Sequence, residues 1–364
     1  METSWETSNQ SYQGEFILLG VADRPRLEML LFALVLVCYM MTLLGNTTII
    51  VVLSLDAGLH TPMYFFLSNL SFLDLCFTIS LGPHMLVNFW RKSKTITYDG
   101  CVAELYISLA LGSTECALLA VISYDRYAAI CHPLRYTSIM SHSLCFTMAA
   151  FSWISGFSNS VIHTVMILRL PLCGWNQVDH LFCELPAFLK LACVDASLNE
   201  IVVIFSTSVL FLLIPVSLIT ISYGYIAAAV LRIRSAEGRK RAFNTCSSHL
   251  MVVWLFYGTA IFNYFQPLSI SSRDRRKMIS LFYTFVTTML NPLIYTLRNK
   301  DVHKALQRLI KNRFLGGLHT CNNIRTKSII QDCISSLQDP KIKQFIFNLL
   351  DMNYVYTTLC YIKK

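Results

Sequence analysis

Long runs of apolar residues, separated by short polar stretches, dominate the hydrophobic pattern of this chain. Each run is long enough to cross a bilayer as a helix, which takes about 20 residues. The short alternating segments typical of a membrane β-barrel do not occur. The pattern therefore predicts an all-α membrane protein with seven transmembrane helices. The runs lie at 29–55, 63–90, 101–124, 143–168, 201–231, 242–268 and 278–297.

The composition agrees with a membrane protein. Apolar residues make up 54% and charged residues 14% of the 364 residues, whereas an average soluble domain is about 25% charged. Disordered chains are more polar and more highly charged than this one. The net charge of +9 does not indicate a nucleic-acid partner, because the basic residues form short clusters between the apolar runs, as membrane loops do.

The polar N-terminal segment indicates a plasma-membrane protein whose N-terminus is extracellular. Asn9 begins a glycosylation sequon there, so we expect it to carry a glycan. The segment lacks the basic and apolar regions of a cleavable signal peptide. Lys and Arg favour this orientation only slightly. The expected organisation is an extracellular segment at 1–28, a seven-helix domain at 29–297, a short amphipathic eighth helix at 298–314 and a disordered cytoplasmic tail at 315–364.

Four cysteines fall in the segments expected on the extracellular side, where thiols oxidise to disulfides. Cys101 begins the third apolar run, and the other three lie in one loop between the fourth and fifth runs: Cys173, Cys183 and Cys193. Four cysteines allow three pairings, and their positions alone do not choose among them. Their spacings do not match a common zinc site.

Several motifs at fixed places in these runs resemble those of mammalian olfactory receptors, which are rhodopsin-like G-protein-coupled receptors. The motifs are LHTPMYFFL at 59–67, SYDRYAAIC at 123–131, SY at 222–223, AFNTCSSHL at 242–250, FYG at 256–258 and NPLIY at 291–295. The segments LFCELP at 181–186 and ACVD at 192–195 resemble the class II, family-2-like branch. The resemblance extends over about residues 10 to 313.

The chain departs from the family pattern at three places. Ile122 and Ser123 replace the usual Met-Ala pair, and Met289 stands where Pro is frequent. Neither change threatens the fold. The third departure is the tail, since family members usually end soon after the eighth helix. A read-through or gene-model artefact would also produce such a tail, and we expect truncation to leave the receptor intact.

The resemblance implies a receptor rather than an enzyme. It would bind a small volatile odorant within the helix bundle and activate a heterotrimeric G protein with a stimulatory, olfactory-type Gα, which raises cAMP. Disulfides are implied between Cys101 and Cys183 and between Cys173 and Cys193. The basic third loop would contact the G protein and anionic membrane lipid. Its residues are Arg232, Arg234, Arg239, Lys240 and Arg241.

The resemblance also implies a G-protein switch at the cytosolic ends of the helices. Asp125 would hold Arg126 in the resting state and release it on activation, while Tyr223 and Tyr295 move inward. An interfacial pair whose side chains reach the lipid headgroups is the alternative interpretation. The expected switch residues are Asp125, Arg126, Tyr127, Tyr223, Asn291, Pro292 and Tyr295.

Two carboxylates, Asp74 and Glu115, fall deep inside the second and third runs. Buried acids are unfavourable unless they are paired or bind a cation. Asn46 and Asn291 are polar partners at matching depth. A bound Na⁺ that favours the inactive state is one interpretation, and a shared proton between the two carboxyls is the other. The residues do not distinguish them.

Matching the chain to the receptor pattern places an odorant pocket between the third, fifth, sixth and seventh helices. Most of its residues are apolar and a few carry hydroxyls, which suits a small uncharged ligand. Ser108 stands at the usual amine-binding position, so a cationic amine is a poor candidate. Each residue is equally compatible with packing between helices. The set is Ser108, Leu109, Gly112, Ser113, Thr207, Ser208, Phe211, Tyr257, Ala260, Ile261, Tyr264, Leu281 and Thr284.

Two other classes of membrane protein are alternatives to a receptor. A transporter or channel would show charges along a path, broken helices and internal repeats, and only Asp74 and Glu115 fit that pattern. A membrane enzyme would show a metal motif, a nucleophile elbow or a phosphate loop between the runs. None of these motifs is present in the sequence.

Overall fold

A computed structural model describes residues 15–19, 25–91, 94–169, 177–185, 206–264, 273–298 and 301–309. All but the last three of them belong to one compact unit, Met1–Leu306. Asn9, Cys173, Cys193 and the tail beyond residue 309 lie outside the described residues.

The described residues of this unit form seven long helices, which confirms the predicted fold class. The first four are α1 (Pro25–Leu55), α2 (Pro62–Trp90), α3 (Tyr98–Cys131) and α4 (His142–Leu168). Helix α5 consists of a π-helical segment, Ser206–Leu213, followed by Ile214–Arg232, and α6 is Ala236–Tyr264. Helix α7 has three consecutive parts, Arg273–Leu281, the π-helical Phe282–Thr287 and Thr288–Arg298. A further short helix, α8, occupies 301–309.

Five of the described helices are long and apolar enough to span a bilayer by themselves. They are Arg26–Leu55, Pro62–Trp90, Tyr98–Cys131, Ser208–Arg232 and Lys277–Tyr295. In α6 only Cys246–Ile261 is continuously apolar, and α4 carries several Ser and Asn residues that lower its mean hydropathy. Both helices have the length to cross with the other five.

The helices extend beyond the apolar runs into segments that the sequence indicated to be loops. Helix α6 begins at Ala236, so Arg239 and Lys240 are helical and the expected basic loop shrinks to residues 233–235. Arg232 ends α5 and Arg241 also lies in α6, so only Arg234 of the five residues remains in the loop and the sequence interpretation was wrong about the other four. Hydropathy marks where a chain leaves the apolar layer, whereas a helix continues as long as its backbone hydrogen bonds are made.

A small three-stranded sheet covers one end of the bundle and was not predicted. Strand β1 (Glu15–Leu18) pairs antiparallel with β2 (Thr95–Thr97) and parallel with β3 (Gln177–Val178). Phe16 and Leu18 of β1 are buried in a cluster with Cys101 and Leu105 of α3. Strands this short carry little periodic signal in a sequence. We call this end of the bundle the sheet end, and the end that carries Arg126 the arginine end.

Helices pack closely where small residues meet. A Cβ atom added to Gly45 of α1 would lie 2.9 Å from Cγ of Pro292 in α7. One added to Gly156 of α4 would lie 2.6 Å from the carbonyl oxygen of Ala110 in α3. Trp153 of α4 donates from Nε1 to Oδ1 of Asn69 in α2 (3.2 Å). Small residues at such crossings let helix backbones approach each other.

We expect Gly156→Ala to destabilise the bundle, because the added methyl group would collide with the α3 backbone. Overpacking of this kind costs about 1–3 kcal/mol. Gly224→Ala is the matched control, since a Cβ at Gly224 meets nothing within 4 Å. The unfolding temperature of the purified protein should fall for the first variant and stay unchanged or rise for the second. Equal unfolding temperatures would contradict the close α3–α4 contact.

Candidate functional site

A buried ion pair lies at the arginine end of α3. Arg126 donates from Nε to Oδ2 of Asp125 (3.0 Å), and its guanidinium contacts the same carboxylate a second time. Asp125 is 0% exposed and Arg126 is 7% exposed. Tyr136, in a short helix Tyr136–Ile139 after α3, donates from its hydroxyl to Oδ1 of Asp125 (2.8 Å). Burial, and next the charge of Asp125, raise the pKa of Tyr136, so its phenol remains a donor. Both oxygens of Asp125 are therefore occupied.

Polar side chains from three other helices surround this pair. Tyr223 of α5 stacks on His249 of α6, with 2.7 Å between the tyrosine oxygen and Nδ1. The hydroxyl of Tyr295 in α7 is buried and has no hydrogen-bond partner. All three side chains interact electrostatically with Arg126. Tyr127 instead contacts His132 through its hydroxyl (3.2 Å).

His249 belongs to this cluster although the sequence indicated no function for it. Its ring is 2% exposed, and its Nε2 has no hydrogen-bond partner. The only sequence signal is that a histidine is present in an otherwise apolar run. A packed histidine is the more common explanation for such a residue, so the pattern alone could not select it.

The middle of the bundle contains the predicted carboxylate pair. Asn291 of α7 donates from Nδ2 to both oxygens of Asp74 in α2, at 3.3 and 3.1 Å. Asp74 is 0% and Glu115 is 5% exposed, and their charges interact. Asn46 is also buried, and its Oδ1 has no partner. Gly45 of α1 packs against Pro292 of α7. Asn46 and Asn291, the sequence neighbours of these two residues, are therefore both next to the α1–α7 contact.

The structure divides the predicted odorant-pocket residues into two groups. Several are used in packing: Ser113 accepts a hydrogen bond from Asn159 of α4 (3.0 Å), and Tyr257 donates to the Cys116 carbonyl (3.1 Å). Two others, Gly112 and Thr284, are not used in packing in this way. A Cβ at Gly112 would meet nothing within 4 Å, and the buried hydroxyl of Thr284 has no partner.

The remaining pocket residues are placed as follows. Leu109 packs beside the sheet-end cluster, Leu281 lies in the core, and Phe211 is 9% exposed. Ser208 and Ala260 are half-buried, and Ser108 donates to the Leu105 carbonyl (3.0 Å). Ile261 is 37% exposed. The side chains of Thr207 and Tyr264 lie outside the described residues.

A loop, residues 177–185, is tied to the sheet end of the helices. Cys183 forms a disulfide with Cys101 of α3. Its backbone N–H also donates to Oε2 of Glu104 (3.1 Å), and Ser280 of α7 donates to Glu184. Lys277, predicted to lie in a loop, is 4% exposed in α7 and pairs with Asp179 of this loop (2.6 Å). The disulfide is the pairing that the resemblance implied. Sequence reasoning missed the other contacts because they join segments far apart in the chain.

No three His, Cys, Asp or Glu side chains converge to hold a metal ion within the part of the chain that the structure describes. Around Asp74 the possible cation ligands include amide oxygens as well as carboxylates. Carboxylate and amide oxygens suit hard cations, and the unpartnered Oδ1 of Asn46 is an oxygen of this type. The residues in the middle of the bundle therefore fit a small hard cation.

Comparisons with known proteins give one consistent family. The sequence model of a family described as "Olfactory receptor" matches residues 34–313. Human olfactory receptor 2G3 is 59% identical over 305 residues, which cover 84% of this chain and 98% of the relative. Human olfactory receptor 2G6 is 55% identical over 314 residues, with 86% and 99% covered. Mouse olfactory receptor 2C1 is 55% identical over 305 residues, with 84% and 97% covered.

The fold resembles that of a solved protein. The crystal structure of squid rhodopsin superimposes with a TM-score of 0.60 at 20% sequence identity, covering 87% of this chain and 93% of the rhodopsin chain. The likeness at this identity concerns the arrangement of the helices alone.

We expect Asn291→Ala to destabilise the protein, because it removes the only side-chain donor that the described structure gives to the buried Asp74 carboxyl. A hydrogen bond to such a group contributes about 1.5–3 kcal/mol. The double variant Asp74→Ala with Asn291→Ala should cost less than the sum of the two single variants. Thermal unfolding of the purified proteins measures this coupling, and strictly additive losses would contradict the contact.

Proposed function

The chain belongs to the olfactory receptor family, and we propose that the site described above lets it bind an odorant between α3, α5, α6 and α7 and then activate a stimulatory Gα. As a member of this family it is a multi-pass membrane receptor for odorants that signals through a heterotrimeric G protein. The binding position, the Gα type and the role of each residue are the proposed part.

The buried Asp125–Arg126 pair is the observation that supports the switch. A charged pair at a membrane edge is unfavourable unless its hydrogen bonds are satisfied. Here Arg126 and Tyr136 together occupy both oxygens of Asp125, which keeps the guanidinium turned toward its own helix. Such a pair has a second stable arrangement, in which Arg126 leaves Asp125 and meets another partner.

The released guanidinium would find acceptors in the cluster beside it. Tyr223 and Tyr295 carry hydroxyl oxygens that can accept, and Nδ1 of His249 in α6 contacts the Tyr223 hydroxyl. A small rotation of α6 against α3 changes which of these groups Arg126 contacts. The arginine end would then open to the G protein, as expected for a two-state switch.

The orientation follows from the same residues. The disulfide and the sheet lie at one end and the switch at the other, so we place the sheet end outside the cell and the arginine end in the cytosol of a plasma-membrane protein. Disulfides persist in the oxidising extracellular space. Arg232, Arg234, Arg239 and Lys240 then lie on the cytosolic side, where they would contact anionic lipid.

The ligand is a small uncharged molecule with one hydrogen-bonding oxygen. Thr284 supports this, because a buried hydroxyl without a partner is unfavourable until a ligand or water satisfies it. The free space beside Gly112 provides room on the α3 side. Leu281, one turn before Thr284, is apolar and buried and offers no charge to a charged ligand.

We expect cells that express this chain with a stimulatory olfactory-type Gα to raise cAMP when exposed to members of a volatile odorant panel. Arg126→Ala and Arg126→Lys should both abolish the response at matched surface level. The lysine variant retains a cation for Asp125 but not the guanidinium fork. A response carried only by an inhibitory Gα, or an undiminished response of both variants, would contradict the proposal.

We expect Thr284→Val to weaken responses to odorant alcohols and ketones by about fivefold, since one hydrogen bond contributes about 1 kcal/mol. Valine preserves the shape of threonine and removes only the hydroxyl. The wild type and Thr284→Val should respond equally to hydrocarbon odorants. Thr284→Ser, which keeps the hydroxyl, is the control. Equal losses for oxygenated and hydrocarbon odorants would show that Thr284 acts through packing alone.

We also propose that Na⁺ binds beside Asp74 and Glu115 and favours the inactive state. The support is the donor set, two carboxyls with amide oxygens of Asn46 and Asn291, in the middle of the bundle. A cation there would offset the repulsion between the two acids.

A ligand that binds the folded state raises its stability, so unfolding of the purified receptor should occur at higher temperature in NaCl than in choline chloride of equal ionic strength. Asp74→Asn should remove the difference. A Na⁺ effect that survives in this variant would place the cation elsewhere.

A further inference from the structure

The loop at 177–185 reaches into the sheet end of the bundle rather than lying over it. Leu181 and Phe182 are 5% and 1% exposed. They belong to the same buried cluster as Leu111 of α3 and Leu281 of α7. Leu281 is one of the residues predicted to contact the odorant. The Leu181–Phe182 turn therefore forms the boundary of the proposed odorant chamber on the sheet side.

A chain of hydrogen bonds fixes the backbone immediately after this turn. Glu104 is buried, and its Oε2 accepts the N–H of Cys183 (3.1 Å). Its Oε1 lies 3.1 Å from Nδ1 of His84 in α2. Nε2 of His84 lies 2.9 Å from Nδ2 of Asn88. Since an amide nitrogen only donates, Nε2 accepts, and the ring proton on Nδ1 is donated to Glu104.

Glu104, the buried acid in these contacts, has no role in the proposed switch or in the proposed odorant pocket. A carboxylate placed in an apolar environment is retained when it satisfies other buried groups. Glu104 satisfies the Cys183 N–H, which would otherwise be a buried donor without an acceptor. The disulfide to Cys101 only tethers Cys183, whereas the hydrogen bond also sets the orientation of its peptide group.

We propose that Glu104 and His84 are positioning residues that set how deeply the Leu181–Phe182 turn enters the bundle, and that this depth limits the length of the odorant. The inference rests on the proposed odorant chamber. Without the Glu104 carboxylate, the Cys183 N–H turns toward water and the turn withdraws. The chamber then gains room at the sheet end for a longer apolar ligand.

The first test needs no odorant. Hydrogen–deuterium exchange of the purified full-length chain reports on the Cys183 amide. In Glu104→Ala the peptide that contains it should exchange about tenfold faster, as expected for the loss of one buried hydrogen bond. Glu104→Gln keeps an acceptor oxygen and should exchange like the wild type. Asp99→Ala, an exposed acid in the first turn of the same helix, is the matched control. Unchanged exchange in Glu104→Ala would overturn the positioning role.

The second test uses a homologous series of straight-chain primary alcohols and cAMP at matched surface level. The longer members should gain potency in Glu104→Ala by about fourfold for each CH₂ that the chamber newly accommodates. Phe182→Leu, which reduces the volume of the buried side chain at the turn, should shift the ranking in the same direction. Glu104→Gln and Asp99→Ala should retain the wild-type ranking.

The outcomes separate the two proposals. A uniform loss of response that leaves the chain-length ranking unchanged in Glu104→Ala and Phe182→Leu would overturn the length limit. A wild-type receptor that responds to no odorant would count against the odorant chamber, while the exchange experiment would still decide the role of Glu104.

Discussion

Charge buried in an apolar helix bundle must be compensated by the protein itself, because neither lipid nor a dry interior hydrates it. This constraint acts at three depths of the molecule. At the arginine end, Asp125 and Arg126 compensate each other. In the middle, Asn291 donates to Asp74, and at the sheet end Glu104 accepts a backbone N–H. The contacts of Asp74 and Glu104 join different helices or loops, and Tyr136 joins Asp125 to the short helix after α3. The polar contacts therefore help to determine how the apolar helices are arranged.

The three sites differ in how freely they can rearrange. At the sheet end the disulfide, the three-stranded sheet and the Lys277–Asp179 pair connect the loop to α3, α7 and β1. The arginine end has no such covalent tie in the described structure, and unsatisfied groups such as the Tyr295 hydroxyl lie beside Arg126. A ligand that alters the packing of α6 and α7 therefore has its largest effect at the arginine end, where alternative partners are available.

Apolar runs longer than a bilayer is thick predicted seven helices from the sequence, and the spans of α2 and α3 follow directly from this pattern. The buried acids Asp74 and Glu115 were recognisable because charge is rare in such runs. Contacts made across the sheet end could not be predicted in the same way. Lys277 belongs to a basic cluster that resembles a loop, and Glu104 finds its acceptor role only when residue 183 folds back onto α3. Hydropathy reports the environment of a residue but not its partner.

Basal signalling without odorant tests most directly whether the buried pair holds the receptor at rest. Cyclic AMP should be measured in cells that express the wild type, Asp125→Asn and Tyr136→Phe at equal surface level with a stimulatory Gα. Asparagine removes the charge that holds Arg126, so basal cAMP should rise. The loss of a charged hydrogen bond of about 1.5 kcal/mol would shift the equilibrium between the resting and active states about tenfold toward the active state. Phenylalanine removes only the Tyr136 hydrogen bond and should give a smaller rise. Basal cAMP equal to the wild type in both variants would show that the Asp125–Arg126 pair does not hold the resting state.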